Sequence, residues 1–370
     1  MINSLEVTNL AVDYGNKRVL KAINLRLRTG ELGCLLGVTG SGKTALLRTI
    51  AGFVRPSKGQ IRIGEQLMAS DEHFIPPERR YTGLVFQDYN LFPHLCIAEN
   101  IGYGLTRQSR VTARVRVEKL LDLARLSHKA DAYPHQLSGG ERQRAALARA
   151  MAPSPRLILL DEPFASQDSN LRETLAHEVK DMLKTEQITA LMVTHDQTEA
   201  FALADKLGVL REGRIEQWDE PYNIYHHPAN RAIAEFVGLG AMLSGVIVNP
   251  TTVNTALGQI RLPVDMNRFR ARQQVQVFVR PEDIVHTSAS RRKAEVLEAM
   301  FRGPTTLYRL RSEQSFEEFY AITPSFIRYR PGERFGLTLA MEELVMFEEN
   351  HAHPGSGDIK YEHAEGPQVY

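Results

Sequence analysis

The chain has 370 residues, 45 basic against 44 acidic, and a formal net charge of +1, so it is long enough for two domains with a large apolar core and has no global pull toward nucleic acid or anionic lipid. Its two cysteines, Cys34 and Cys96, are far apart in sequence, which excludes a disulfide framework and reads as two small core residues in a reducing compartment. No run of about 18 apolar residues offers a bilayer span, and Met1 to Leu10 lacks the basic leader and apolar segment of a secretory signal, so any membrane process it serves is expected to use other chains to cross the bilayer.

Leu5, Val7 and Val12 open a strand-like stretch, and Ile23, Leu25 and Leu27 alternate with Asn24, Arg26 and Arg28 as a half-buried strand does. Tyr14-Gly15 lies between them. An aromatic on that turn can stack on a purine ring or pack in the core, and the residue alone leaves both open. Leu32 to Leu36 then forms a short apolar run, followed by Gly37-Val38-Thr39-Gly40-Ser41-Gly42-Lys43-Thr44 and a helical spacing from Thr44 to Ile50 that includes Ala45. This is the phosphate-loop pattern in the strand, loop, helix context it requires. Gly37, Gly40 and Gly42 are expected to let backbone N–H groups turn toward phosphate oxygens where any Cβ would crowd the ligand. The helix start near Lys43 adds its positive end, Lys43 reaches the outer phosphates, and the Thr44 hydroxyl faces Mg²⁺.

After a turn at Pro56 to Gly59, Gln60 to Ile63 reads as an edge hairpin strand, and Thr82 to Phe86 as a buried strand ending in Gln87. An amide at that strand end can touch Mg²⁺ and an attacking water, or simply close the strand. Leu91 to about Ala132 is helical, with Val117, Leu120, Leu121 and Ala124 on one face. The basic stretch Arg107 to Arg116 has no interleaved aromatics and is expected to be a solvated helix face. Leu137-Ser138-Gly139-Gly140-Glu141-Arg142-Gln143-Arg144 precedes an Ala-rich helix, Ala145 to Met151. Ser138 is a credible N-cap and the two glycines leave amides bare, so this is a second anion site. Leu157 to Leu160 delivers Asp161 and Glu162 to a strand's carboxyl end, where Asp161 can hold Mg²⁺ through water and Glu162 can polarise the attacking water. Ile188 to Val193 likewise ends in Thr194-His195-Asp196, and His195 can donate to a γ-phosphate.

In this order and spacing, the loop at Gly37, Gln87, the Leu137 to Arg144 motif, Leu157 to Glu162 and His195 resemble the ATPase subunits of ATP-binding cassette (ABC) transporters over residues 1–238. The Leu-Ser-Gly-Gly motif is the most specific element. The resemblance implies an α/β phosphate-loop NTPase cassette with a helical subdomain at about 91–150. It also implies that two subunits pair head to tail, with Ser138, Gly139 and Gly140 of one copy closing on the γ-phosphate held by Lys43 of the other. Tyr14 then matches the adenine-stacking position, Gln87 the loop that senses the membrane partner, and Asp168 the interfacial aspartate. ATP contacts are expected from Gly37 to Ala45, Ser138 to Gly140, Gln143 and Asp168, with Lys43, Gln87, Glu162 and His195 catalytic and Thr44, Gln87 and Asp161 toward Mg²⁺. Where the family commonly reads Ser-Ala-Leu-Asp, this chain has Ala165-Ser166-Gln167-Asp168, which bears on contact between the two subunits. Thr39 and Ala45 also stand where Ser or Thr is common.

Beyond Gly238-Leu239-Gly240, Val275, Val277 and Val279 alternate, as do Phe335, Leu337 and Leu339, with turns such as Arg330-Pro331-Gly332 between segments. Residues 239–349 read as a small all-β barrel. Val279-Arg280-Pro281-Glu282-Asp283-Ile284 resembles the OB-type C-terminal domain of bacterial importer ATPases, which implies added dimer contacts or regulation. Residues 350–370 read as a disordered tail. The implied partners are a second copy, transmembrane permease chains and, indirectly, an extracytoplasmic solute-binding protein, at the cytoplasmic face of the inner membrane. Leu91 to Leu95, Asn100 to Leu105 and Tyr133 to Gln136 look most like ferric-iron importers, with polyamine, thiosulfate and sugar importers sharing much of this. His226-His227 and His351/His353 read as surface histidines, since no full ligand set surrounds either pair. A soluble ATPase acting on nucleic acid is the rival. The single cassette, the lack of a coiled-coil insertion and the lack of a basic-aromatic stripe speak against it.

Overall fold

Strands Asn3–Tyr14 (β1) and Lys17–Arg28 (β2) pair antiparallel, and in β2 the buried Ile23, Leu25 and Leu27 alternate with exposed Asn24, Arg26 and Arg28 as period two requires. The computed structural model describes residues 3–165, 167, 169–261, 269–341 and 343–349. The chain divides into two units, Met1–Val237 and Gly238–Tyr370. Ser166 and the tail read above as disordered, 350–370, lie outside the described residues, as does Asp168.

In the first unit, Leu32–Leu36 (β3) leads into helix Lys43–Ala51 (α1). Strand Lys58–Ile63 (β4) then lies between β1 and Gln66–Ala69 (β5), in the order β2-β1-β4-β5. It is therefore an interior strand, not the edge expected from its sequence. The edge is β5, four residues of mixed polarity too short to show a period. Next come Thr82–Val85 (β6) and the helices Ile97–Gly102 (α2), Arg110–Leu123 (α3) and Gly139–Met151 (α4). They are followed by Leu157–Asp161 (β7), Ser169–Thr185 (α5), Thr189–Thr194 (β8), Gln197–Leu203 (α6), Lys206–Arg211 (β9) and Arg214–Asp219 (β10). The six-stranded sheet has the order β10-β9-β3-β8-β7-β6, parallel except for the β9-β10 hairpin.

Both faces of this sheet are covered, which is why its strands are continuous apolar runs. Leu35, Leu157, Leu159, Leu191 and Val193 pack with α1 and the β1–β5 sheet on one side. Cys34, Leu36, Ile158, Leu160, Ala190 and Met192 face the helices on the other. Parallel register aligns Leu36 with Thr194, Asp161 with Val193 and Val85 with Leu160, so four chain segments leave the sheet along one carboxyl edge.

Two residues behave differently from their sequence reading, and a third had none. Cys34 is buried, but Cys96 is only partly so and stands at the N-cap of α2, its amide held by Glu99 at 2.9 Å. Arg116 is not solvated: it pairs with Glu186 at 2.6 Å and donates to Met151 O at 3.0 Å, because α3 packs on the end of α4. Arg80 carries no sequence signal, yet it is fully buried and donates to Ile75 O (2.7 Å), Thr49 O (2.9 Å) and Ile50 O (2.8 Å), closing the carbonyl end of α1. Burial pushes its pKa down to about 10. A Cβ on Gly52 (φ 94°) would sit 2.5 Å from Arg80 Nε, so this turn needs glycine for space and conformation alike. Arg80→Met should cost about 3 kcal/mol, read as a lower urea midpoint at unchanged slope, since it strips three buried carbonyls of their donor.

The second unit is all-β among its described residues apart from one short turn of 3₁₀ helix at Pro281–Asp283. One sheet contains Ala241–Asn249 (β11), Thr252–Thr255 (β12), Gly258–Arg261 (β13) and Gln274–Val279 (β14). The other contains Ile284–His286 (β15), Lys293–Phe301 (β16), Thr305–Ser312 (β17), Glu318–Pro324 (β18) and Arg334–Leu339 (β19). Val345–Glu348 (β20) returns to the first, giving orders β13-β12-β11-β14-β20 and β15-β19-β16-β17-β18. Leu243, Val277, Ala294, Val296, Tyr308, Leu310, Phe319 and Phe335 fill the interior of this OB-like barrel. Arg280 N donates to Asp283 at 2.8 Å across the turn, and burial raises that carboxyl to about 6.

Candidate functional site

The loop between β3 and α1 is shaped by two left-handed glycines, Gly40 (φ 83°) and Gly42 (φ 110°). Within the protein itself, the constraint on glycine differs along the loop. A Cβ on Gly40 would meet nothing within 4 Å, so its backbone conformation is the constraint, whereas one on Gly37 would lie 2.4 Å from Leu210 O. The chain's own packing thus dictates Gly37. Ser41 is buried, and its Oγ has no protein partner. Val38 and Tyr14 are exposed, and Thr39 also faces solvent. Tyr14 ends β1 opposite Lys17, at the tip of the hairpin and outside the core.

Lys43 folds back over this loop, donating to Gly37 O at 2.7 Å and Val38 O at 3.2 Å, and lies 3.9 Å from Glu162 Oε1. Burial lowers its pKa, and the carboxylates of Glu162 and Asp161 partly offset this. Thr44 Oγ1 donates to Asp161 Oδ1 at 3.2 Å. Burial first, and Glu162 beside it, raise the Asp161 pKa, while the Thr44 hydrogen bond opposes them. Asp161, a carboxylate that burial makes costly to ionise, lies with the Thr44 hydroxyl and next to Glu162, a hard-oxygen set that fits a divalent cation such as Mg²⁺. No group of three or more His, Cys, Asp or Glu suited to a metal occurs among the described residues.

Glu162 sits just past β7 with φ 45°, a left-handed backbone rarely adopted by a non-glycine residue, while its N–H still bonds Val193 O at 3.0 Å. His195, just past β8, brings Nδ1 to 3.1 Å from Glu162 Oε2. Three strand ends therefore bring Lys43, Thr44, Asp161, Glu162 and His195 into one contact set.

Gln87 is exposed, two residues past the β6 position paired with Leu160, and so lies along the same edge. Its turn is built on two consecutive left-handed residues, Tyr89 (φ 59°) and Asn90 (φ 48°). Arg149, which the sequence reading passed over, donates to Asn90 O at 2.8 Å and Tyr89 O at 3.1 Å, with its guanidinium 5.2 Å from the Phe92 ring centroid. Asn100, fully buried, donates to Phe92 O, Leu95 O and Cys96 O and accepts from Phe92 N at 2.8 Å, which fixes the next loop.

The second anion site starts at the N-cap read from the sequence, Ser138. The helix runs from Gly139, ahead of its Ala-rich part at Ala145 to Met151, because Ser138 Oγ accepts from Glu141 N (3.3 Å) while Glu141 accepts from Ser138 N (2.7 Å). The Ser-x-x-Glu pattern was the signal for this capping box. Ser138 is exposed, and both of these bonds lie within its own capping box, so neither reaches the phosphate loop. Gln143, by contrast, is 1% exposed, and both of its buried amide atoms lack a protein partner.

Arg172 is a further residue that no local pattern could flag. It pairs with Asp196 at 2.6 Å, donates to Gln167 O at 3.2 Å and lies 3.5 Å from the buried Glu199, which takes the Thr194 hydroxyl at 2.6 Å. Asp196 in turn caps α6, accepting from Thr198 N and Glu199 N, so the segment holding His195 is fixed from both sides.

The ABC transporter family model matches residues 20–165, and the TOBE domain model matches residues 277–347. The chain is 39% identical over 286 residues to an Fe(3+) ions import ATP-binding protein of Haemophilus influenzae, covering 76% of this chain and 80% of that one. It is 36% identical over 355 residues to a spermidine/putrescine import ATP-binding protein of Oleidesulfovibrio alaskensis, covering 90% and 94%. A sulfate/thiosulfate import ATP-binding protein of Chromobacterium violaceum is 41% identical over 315 residues, covering 84% of each. Among solved structures, cbiO1 of Clostridium perfringens, part of an ABC transporter complex, superposes with a TM-score of 0.57 at 28% identity, covering 60% of this chain and 91% of that one. An ATP-binding cassette solved as a dimer in a post-hydrolysis state with ADP and Pi gives 0.51 at 29% identity, covering 59% and 98%.

Proposed function

Because the chain belongs to the ATP-binding subunits of ABC importers, ATPases coupled to solute transport, we propose that it hydrolyses ATP between two head-to-tail copies to drive ferric-iron import through permease chains at the cytoplasmic face of the membrane. One observation carries the catalytic part: Lys43, Thr44, Asp161, Glu162 and His195 meet at three neighbouring strand ends, with Glu162 held in a strained backbone beside His195. Lys43 exchanges its two loop carbonyls for outer phosphate oxygens, and the unpartnered Ser41 Oγ lies within the same cradle. Mg²⁺, when held by Thr44 and Asp161, with Gln87 at the same edge, spreads phosphate charge. Glu162 accepts a hydrogen bond from the attacking water and orients it in line, and His195 donates to the γ-phosphate as charge develops. The exposed Ser138, with the half-buried Gly139 and Gly140, offers the start of α4 to the nucleotide on the other copy, and Tyr14 offers its exposed ring to adenine; Asp168, the aspartate that the resemblance implies for that contact, lies outside the described residues. The dimeric cassette among the structural neighbours supports this pairing.

A groove of about 570 Å³ supports the permease partnership. It is walled by Phe86, Phe92, Tyr103 and Arg149 and opens beside the Gln87 turn, so a short permease segment seated there would press on that turn. Ferric iron rests on the resemblance of Leu91 to Leu95 and Asn100 to Leu105, part of which forms this wall, and on relatives named for Fe(3+) ions. Relatives named for polyamines, sulfate and 2-aminoethylphosphonate make the solute the point to measure. The test is co-purification from detergent-solubilised membranes, followed by uptake of labelled Fe³⁺, spermidine and sulfate by the reconstituted complex. Permease chains should co-purify and Fe³⁺ should be taken up with ATP. Tyr103→Glu should lose the permease while binding ATP normally. Nucleic acid in place of permease would overturn the transport reading, and uptake of another solute would overturn the iron assignment.

A further inference from the structure

We propose that Gln167 is a positioning residue for hydrolysis, tying the turn that carries Gln87 to the segment that links Glu162 with His195. The inference rests on the reading of the nucleotide site above.

Gln167 Nε2 donates to the Tyr89 hydroxyl at 2.5 Å. Tyr89 is 6% exposed, so this bond gives the hydroxyl of a largely buried side chain a partner. It also fastens the side chain of a residue whose backbone, like that of Asn90 after it, is left-handed. Strained backbone of this kind persists only where its surroundings over-determine it. Arg149 supplies one hold, through the carbonyls of Tyr89 and Asn90, and Gln167 supplies the other, through the ring hydroxyl. The Gln167 carbonyl accepts from Arg172 Nη2 at 3.2 Å, and Arg172 Nη1 reaches Asp196, the residue after His195, at 2.6 Å. One residue thus joins the permease-facing turn by its side chain and the His195 segment by its backbone. A Cβ on Gly139 would sit 2.8 Å from Gln167 Nε2, so a larger first residue of α4 would shift this side chain. Leucine at 167, common in the resembled family, would fill the space but leave the Tyr89 hydroxyl without its donor.

The test is ATP hydrolysis by the full-length chain carrying Gln167→Leu, Tyr89→Phe or both, with rates normalised to nucleotide-binding stoichiometry. Each single change should lower kcat about fivefold with KM for ATP unchanged, and the double should fall no further, as expected of two partners in one hydrogen bond. Gln167→Glu, whose carboxylate accepts from the Tyr89 hydroxyl, should recover most of the rate. A double variant that loses about 25-fold by independent effects, a Gln167→Glu no better than leucine, or singles at the parent rate would each overturn the inference. A parent chain that does not hydrolyse ATP would overturn the reading of the site as well.

Discussion

Glu162→Gln will lower ATP hydrolysis by about a hundred- to ten-thousandfold while leaving ATP binding intact, the size expected when a positioned base is removed. That corresponds to about 3–5 kcal/mol of barrier. The substitution keeps size and a hydrogen-bonding group toward His195, so the three strand ends should stay in place. It removes the negative charge proposed to accept a hydrogen bond from the attacking water, and it also removes the carboxylate near Lys43 and beside Asp161. Lys43 and Thr44 are untouched, so equilibrium binding of ATP with Mg²⁺ should match the parent. With binding retained and hydrolysis blocked, the closed pair should accumulate. Single-turnover hydrolysis and equilibrium titration check both halves. A variant that turns over ATP near the parent rate would remove Glu162 from the mechanism.

Ser138→Arg is expected to abolish ATP-dependent pairing and to lower hydrolysis at least about a hundredfold, because under the proposed head-to-tail arrangement its bulk would keep this helix start from closing on the nucleotide of the other copy. Within its own chain Ser138 caps α4 through its two hydrogen bonds with Glu141, so a lone chain should bind ATP as before. Losing the cap costs about 1 kcal/mol by itself, and Ser138→Ala carries that same loss without bulk. Light scattering with ATP in the Glu162→Gln background separates the effects: the alanine variant should still pair and the arginine variant should not. A dimer unaffected by Ser138→Arg would reject the head-to-tail arrangement.

The three-strand arrangement at the site could be read before any coordinates because each element announces itself locally. Leu32 to Leu36 and Leu157 to Leu160 are apolar without alternation since both sheet faces are covered, and each ends in residues whose chemistry is specific: Gly37 to Thr44 in one case, Asp161 and Glu162 in the other. Ser138 was legible as a cap at the start of α4, although its partner Glu141 was not taken into account. The interior position of β4 escaped because strand order depends on which hairpin forms next, and β5 has no pattern of its own.

Local periodicity and motif spacing therefore determined the phosphate loop, the carboxylates, His195 and the all-β character of the second unit, because a loop or strand end needs particular residue types at fixed offsets. Only the tertiary structure decided the roles of Arg80, Arg149, Gln167 and Arg172, whose partners lie far away in sequence or are backbone carbonyls that any residue could present. A hydrogen bond from a side chain to a distant main chain leaves no mark on the composition of either segment. Only folding brings its donor and acceptor together.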